Sequence, residues 1–172
     1  MVLLYMKQEY VSKHEKILVK NEFGKDLYLI SGKWGRVGDR LSLYSIDGTL
    51  LVEVKQTVLS LLPKFDIYVK GKKVGSITKH RSLKNVYFKV TPLNWVVTGD
   101  FYNHNYSIHC KGQLIMEMTK AYTSFGDYYT LSIPEAQHAP ICLCIALIVD
   151  TLTLTRLPEM AKKRAIRAYQ LI

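Results

Sequence analysis

One segment limits the folds open to this chain more than any other. Residues 139–150 read APICLCIALIVD, and from Ile141 to Val149 no face carries a charged or strongly polar side chain. A helix of that composition needs apolar surroundings on every side, because no stripe is left to face water. The unbroken apolar stretch is about ten residues, against roughly twenty needed to cross a bilayer, and His138 and Asp150 bracket it. No transmembrane span is therefore expected. The segment reads as a buried core helix over 136–149, about 21 Å long at 1.5 Å per residue. Pro134 and Glu135 open it, and Pro140 lies in its first turn or marks its true start, where a missing N–H costs nothing.

The rest of the chain supplies the surroundings. Leu27 and Leu29 alternate with Tyr28 and Ile30, Leu41 and Leu43 with Ser42 and Tyr44, and Val52 and Val54 with Glu53 and Lys55. Phe65, Ile67 and Val69, then Val86, Phe88 and Val90, then Leu114, Met116 and Met118 continue the pattern. Period two with one apolar and one mixed face is the signature of strands. Twelve are expected, over 3–10, 16–21, 26–32, 40–46, 49–57, 64–70, 73–79, 84–91, 95–101, 104–110, 112–119 and 126–133. Turn signals separate them, among them Asp47-Gly48, Gly71-Lys72, Asn103-His104-Asn105 and Lys111-Gly112. The gaps are too short for crossover helices, so the strands form an antiparallel meander.

A meander of about twelve strands and an all-apolar helix solve each other's problem. Curled on itself, the sheet loses its free edges. A barrel of that width is too wide for its own side chains to fill, and a helix about 10 Å across plugs it. The expected fold is mainly β: a closed antiparallel barrel around a central hydrophobic C-terminal helix. Two stacked sheets with the helix packed at one end are the competing arrangement.

At 172 residues, 48% of them hydrophobic, the chain has the size and apolar content of one folded domain over 1–172. Cys110, Cys142 and Cys144 are an odd set, and the last two sit inside the apolar run. They read as small buried hydrophobes in a reducing compartment. Residues 157–169, with Lys162, Lys163, Arg164 and Arg167, read as a short basic terminal helix.

No catalytic constellation is visible. Gly32 to Gly38 lacks the Gly-Lys-Ser/Thr ending of a phosphate loop. His104, His109 and His138 are not at metal-ligand spacing. No cofactor, metal or enzymatic activity is expected. Charge is the remaining signal. The net charge is +10, and residues 64–89 hold eight cations against Asp66 alone. Lys70, Lys72 and Lys73 flank one turn, and Lys79, Arg81 and Lys84 flank another. These six are the candidate residues for anion or lipid-headgroup binding. The two groups lie at opposite ends of one strand and need not form one patch. Nucleic acid is not the expected partner, because no recognition helix or known aromatic motif accompanies the charge.

Residues 27–69 carry a further signal. Asp47-Gly48 follows a strand, Lys55-Gln56 lies in the next, Pro63 precedes Phe65-Asp66-Ile67-Tyr68, and a helix from Ile141 to Asp150 comes late. In this order the chain resembles the LURP-one-related, or YxjI-like, family, which is similar to the tubby C-terminal domain and the phospholipid scramblases. The resemblance implies a twelve-stranded barrel around a hydrophobic helix. Tubby-type members bind phosphoinositides through basic residues on the barrel, and scramblase-like members are membrane-associated. No phosphoinositide motif matches here residue by residue, so the resemblance carries over no site residues. The expected function is a non-enzymatic binding domain for anionic phospholipid headgroups or phosphorylated ligands. It would be cytoplasmic, and peripheral at the inner membrane face. A structural or protein-interaction domain without lipid affinity is the alternative.

Overall fold

The structure, a computed structural model, describes residues 1–7, 16–33, 40–57, 63–82, 85–123 and 126–154. It contains β1 (Val2–Lys7), β2 (Ile17–Asn21), β3 (Asp26–Lys33), β4 (Arg40–Ser45), β5 (Leu50–Gln56) and β6 (Lys64–Val69). There follow β7 (Lys72–Arg81), β8 (Val86–Thr91), β9 (Trp95–Asp100), β10 (Asn105–Cys110), β11 (Gln113–Thr123) and β12 (Gly126–Ile133). A 3₁₀ turn, Ala136–His138, leads into α1 (Ala139–Leu154). Each strand pairs antiparallel with its sequence neighbours. β1 pairs with β12 from Val2↔Ile133 to Lys7↔Tyr128, which closes the barrel.

Up-and-down connectivity gives the barrel two distinct mouths. The C-terminal ends of the even-numbered strands lie at the mouth where α1 enters, and those of the odd-numbered strands lie at the other. Two contacts fix the helix direction. His138, just before α1, meets the Trp95 ring edge-on at 5.2 Å at the entry mouth. At the exit mouth the Lys79 Nζ donates to the Leu152 carbonyl at 3.3 Å. A cation on the last carbonyls of a helix also meets the negative end of its macrodipole.

Inside, alternate strand residues such as Leu4, Met6, Leu43, Ile67, Phe88 and Met116 close on α1, and every residue from Cys142 to Asp150 is buried. Each fully buried aliphatic side chain contributes roughly 1.5–3 kcal/mol. The all-apolar helix is thus the interior layer of the barrel core.

Several expectations are corrected. α1 begins at Ala139, with Pro140 in its first turn, and it runs on to Leu154 rather than ending at 149. Thr151 and Thr153 belong to it, and their hydroxyls donate to the carbonyls of Leu147 (2.9 Å) and Val149 (2.7 Å) four residues back. Together with the 3₁₀ turn, residues Ala136–Thr153 are long and apolar enough to cross a bilayer. It is burial inside the barrel, and not shortness, that makes the segment a core helix.

On β3 the inward residue is Ile30, while Leu27 and Leu29 are only half-buried. A bulge where β2 passes from Val19 to Lys20 resets the register there. A second bulge, opposite Ile108/His109, turns Leu114 outward and Ile115 inward on β11. The expected basic helix at 157–169 lies outside the described residues.

Candidate functional site

β7 carries the candidate cations to opposite mouths. At the entry mouth, Lys70-Gly71 is a two-residue hairpin turn between β6 and β7. Both residues have positive φ, 49° and 74°, the conformation that matches the twist of the flanking strands. Gly71 takes it without strain, and no neighbouring atom lies within 4 Å of where its Cβ would stand. Lys70, Lys72 and Lys73 are exposed around this turn. Lys73 reaches back along the outer wall to Asp66 Oδ1 at 2.9 Å. Burial opposes ionisation of Asp66. The hydrogen bond from Ser76 (2.6 Å), the Lys73 ammonium and Thr57 outweigh it and hold the carboxyl below its usual range. Among the described residues, no ion pair joins Lys70 or Lys72 to an acid. The turn therefore presents two exposed ammonium groups, with a third already committed to the one acid nearby in sequence.

Of the exit-mouth group, Lys79 and Arg81 are described. Lys79 shares the inward parity of Ile77. Its Nζ lies 5.5 Å from the Phe88 ring centre and bonds the end of α1, so it belongs to the core rim. Arg81 is exposed. Lys84 lies outside the described residues. Beside Arg81 the β8–β9 ladder stops at Phe88↔Val97, although β7–β8 continues to Arg81↔Val86 and β9–β10 to Asp100↔Asn105. The strands part there and leave an open groove of about 560 Å³ between Ser82, Asn85 and Tyr87 on one side and Thr98, Asp100 and Tyr102 on the other. Among the described residues, Asp100 is the one charged residue lining it. Hydrogen bonds from Asn103 and from the Tyr102 N–H hold its carboxyl below the usual range.

Beneath this mouth sits a buried polar cluster. His104, in the turn after β9, places its Nδ1 2.5 Å from Asp150 Oδ1, off the hydrogen-bond axis. The Tyr129 hydroxyl donates to Asp150 Oδ2 at 3.3 Å, and the Tyr106 hydroxyl donates to the Ala146 carbonyl at 3.1 Å. Burial first, then the Asp150 charge, pushes the Tyr106 pKa well up, so it remains a neutral donor. The cluster ties α1 to β10, β12 and the β9–β10 turn. The placement of Asp150 at the end of the apolar run is what the sequence signals for this role. The inward Lys79 was legible only from its parity with Ile77.

Burial likewise pushes the Cys142 thiol up to about 12 and raises Cys144 further, so neither is a reactive thiol. Among the described residues, no three His, Cys, Asp or Glu side chains gather as a metal site.

The comparisons with known proteins agree with this architecture. A solved structure of a protein from Arabidopsis thaliana superposes with a TM-score of 0.62 at 11% identity, covering 88% of this chain and 91% of that one. Identity that low shows the fold alone, a barrel of the tubby C-terminal type. The uncharacterized protein YxjI of Bacillus subtilis (strain 168) is 29% identical over 150 residues, which cover 87% of this chain and 93% of that protein. The family model described as LURP-one-related matches residues 2–150, the whole barrel and its core helix down to Asp150. The chain belongs to the LURP-one-related family.

Proposed function

We propose that the chain is a non-enzymatic binding domain whose entry-mouth lysines engage anionic phospholipid headgroups or other phosphorylated ligands. In this reading it works in the cytoplasm, peripheral to the inner membrane face. The observation that carries the reading is the β6–β7 turn. Lys70 and Lys72 stand exposed on a short turn of fixed geometry, and Lys73 draws off the charge of Asp66. Ammonium groups held this way give charge-assisted hydrogen bonds to phosphate oxygens. Near an anionic membrane each contributes about 1 kcal/mol, an attraction that fades within a Debye length. The helix fills the barrel, so the ligand is met on the outside. The likeness to tubby-type phosphoinositide binders points the same way.

The test is flotation of the protein with vesicles, neutral against phosphoinositide-containing, at low and high salt. The reading expects binding to the anionic vesicles only, weakened at high salt. Absence of binding at low salt overturns it and leaves a protein-interaction domain.

A further inference from the structure

The sector of barrel beside the lysine turn exposes apolar side chains in an ordered row. Leu18 on β2 stands opposite Leu29 on β3, Leu29 opposite Tyr44 on β4, and Tyr44 opposite Leu50 on β5. All four lie on the outer wall. Leu18 is 43% and Leu50 44% exposed. The two hairpins that cap this sector at the entry mouth each carry a large apolar residue in the turn. Phe23, between β2 and β3, is 84% exposed, and Ile46, between β4 and β5, is 56% exposed. Neither packs into the core, and nothing in the turn chemistry asks for them. The β2–β3 turn is held instead by Asn21, whose side-chain oxygen accepts from the Phe23 and Lys25 N–H groups. The β4–β5 turn is held by Asp47, bonded by Ser45 and the Thr49 N–H.

The charges around these apolar side chains favour one kind of partner. Lys25 is exposed on the same turn as Phe23, and Lys70 and Lys72 are exposed on the next hairpin but one around the rim. Of the acids in the sector, Asp26 is paired with Lys20 at 2.5 Å and Glu53 with Arg40 and Lys55, while Asp47, hydrogen-bonded within its own turn, keeps its charge. Glu22 is exposed. Protruding apolar tips flanked by exposed lysines match a bilayer interface with anionic headgroups, which takes apolar side chains at the acyl boundary and cations at phosphate level.

We propose that the entry mouth is a membrane-insertion rim: Phe23 and Ile46 enter the acyl boundary of an anionic bilayer while Lys25, Lys70 and Lys72 sit among the phosphates. This deepens the headgroup reading and rests on it. The bound barrel then stands with its entry mouth toward the lipid and its exit mouth, with the end of α1, toward water.

The test uses the full chain with Phe23→Trp, Ile46→Trp and, at the opposite mouth, Tyr102→Trp, which replaces a residue 73% exposed in the β9–β10 turn. Each is mixed with phosphoinositide-containing vesicles whose acyl chains are brominated. The expected result is added quenching and a blue shift at positions 23 and 46, and neither at 102. Phe23→Asp with Ile46→Asp should weaken vesicle binding at least about tenfold, through lost apolar transfer.

Flotation without quenching at 23 and 46 overturns insertion and leaves headgroup binding intact. Quenching equally strong in neutral vesicles supports insertion and removes the headgroup requirement. If no vesicle is bound, both fail. If the wild type instead self-associates and the double Asp variant does not, the row is a protein–protein surface and the proposal is wrong.

Discussion

Leu143→Ala removes three carbons from the buried stretch of α1, at a side chain with no solvent exposure. Deleting a buried leucine side chain costs the transfer term plus the cavity left behind, roughly 3–5 kcal/mol where the walls cannot collapse. The walls here are strands of a closed barrel, tied to neighbours on both sides, so little collapse is expected. A domain of this size has about 5–15 kcal/mol in total, so one substitution removes a large share. With a urea m-value near 2 kcal/mol/M, the unfolding midpoint should fall by about 1.5–2.5 M with m unchanged. Ile145→Val removes one methyl from the same buried helix and should cost about 1 kcal/mol, which keeps a graded measurement available if the alanine variant fails to fold. Leu114→Ala, on the outer wall at 37% exposure, is the control and should cost about 0.5 kcal/mol or less. Equilibrium urea unfolding followed by circular dichroism reads all three. If Leu143→Ala proves as mild as Leu114→Ala, the helix is not the interior of the barrel and the account of the fold is wrong.

Other expectations follow from single contacts. Lys79→Met should cost about 1 kcal/mol in urea unfolding, because it removes a cation from the end of α1. It should leave vesicle binding unchanged, and a loss of binding would return Lys79 to the headgroup site. Asp66 has a depressed pKa in the fold, so its stabilising increment is fully present above the ordinary carboxylate range and is lost as pH falls through the lowered value. Asp66→Asn should therefore be destabilised at neutral pH and converge on wild type in acid; a gap that stays constant with pH contradicts the assignment. Cys142 and Cys144 should react with a thiol reagent only on unfolding, and fast native modification of both would place them outside the core.

Strand number and order were readable from the sequence because one rule, alternation, governs all of them and short gaps forbid other connections. The rule failed where backbone geometry changes parity. The bulge at Val19/Lys20 makes Ile30 and not Leu29 the inward residue, and the bulge beside His109 exchanges Leu114 for Ile115. Neither bulge has a marker in the residues around it. The end of α1 was hidden because Thr151 and Thr153 alternate with Leu152 like a strand, whereas their hydroxyls are satisfied by the helix's own carbonyls. The cationic turn was visible as Lys-Gly-Lys-Lys. That Lys73 is spent on Asp66 depends on antiparallel pairing of β6 with β7. The contact of His104 with Asp150 joins residues 46 apart through barrel closure, and no local pattern announces it. The apolar row on β2–β5 is equally a product of register, since its four members come from four strands.

The central functional claim is that position, and not total charge, decides binding. Two charge-matched variants test it directly. Lys70→Glu with Lys72→Glu reverses the exposed pair at the entry mouth, and Lys16→Glu with Arg81→Glu makes the same change in net charge with exposed residues of the exit mouth. With about 1 kcal/mol per lysine near an anionic surface, the first variant should lose at least about thirtyfold in vesicle partitioning at low salt. The second should stay close to wild type. Equal losses in the two variants would mean that the positive charge acts as a diffuse surface property, and the entry-mouth site would be contradicted.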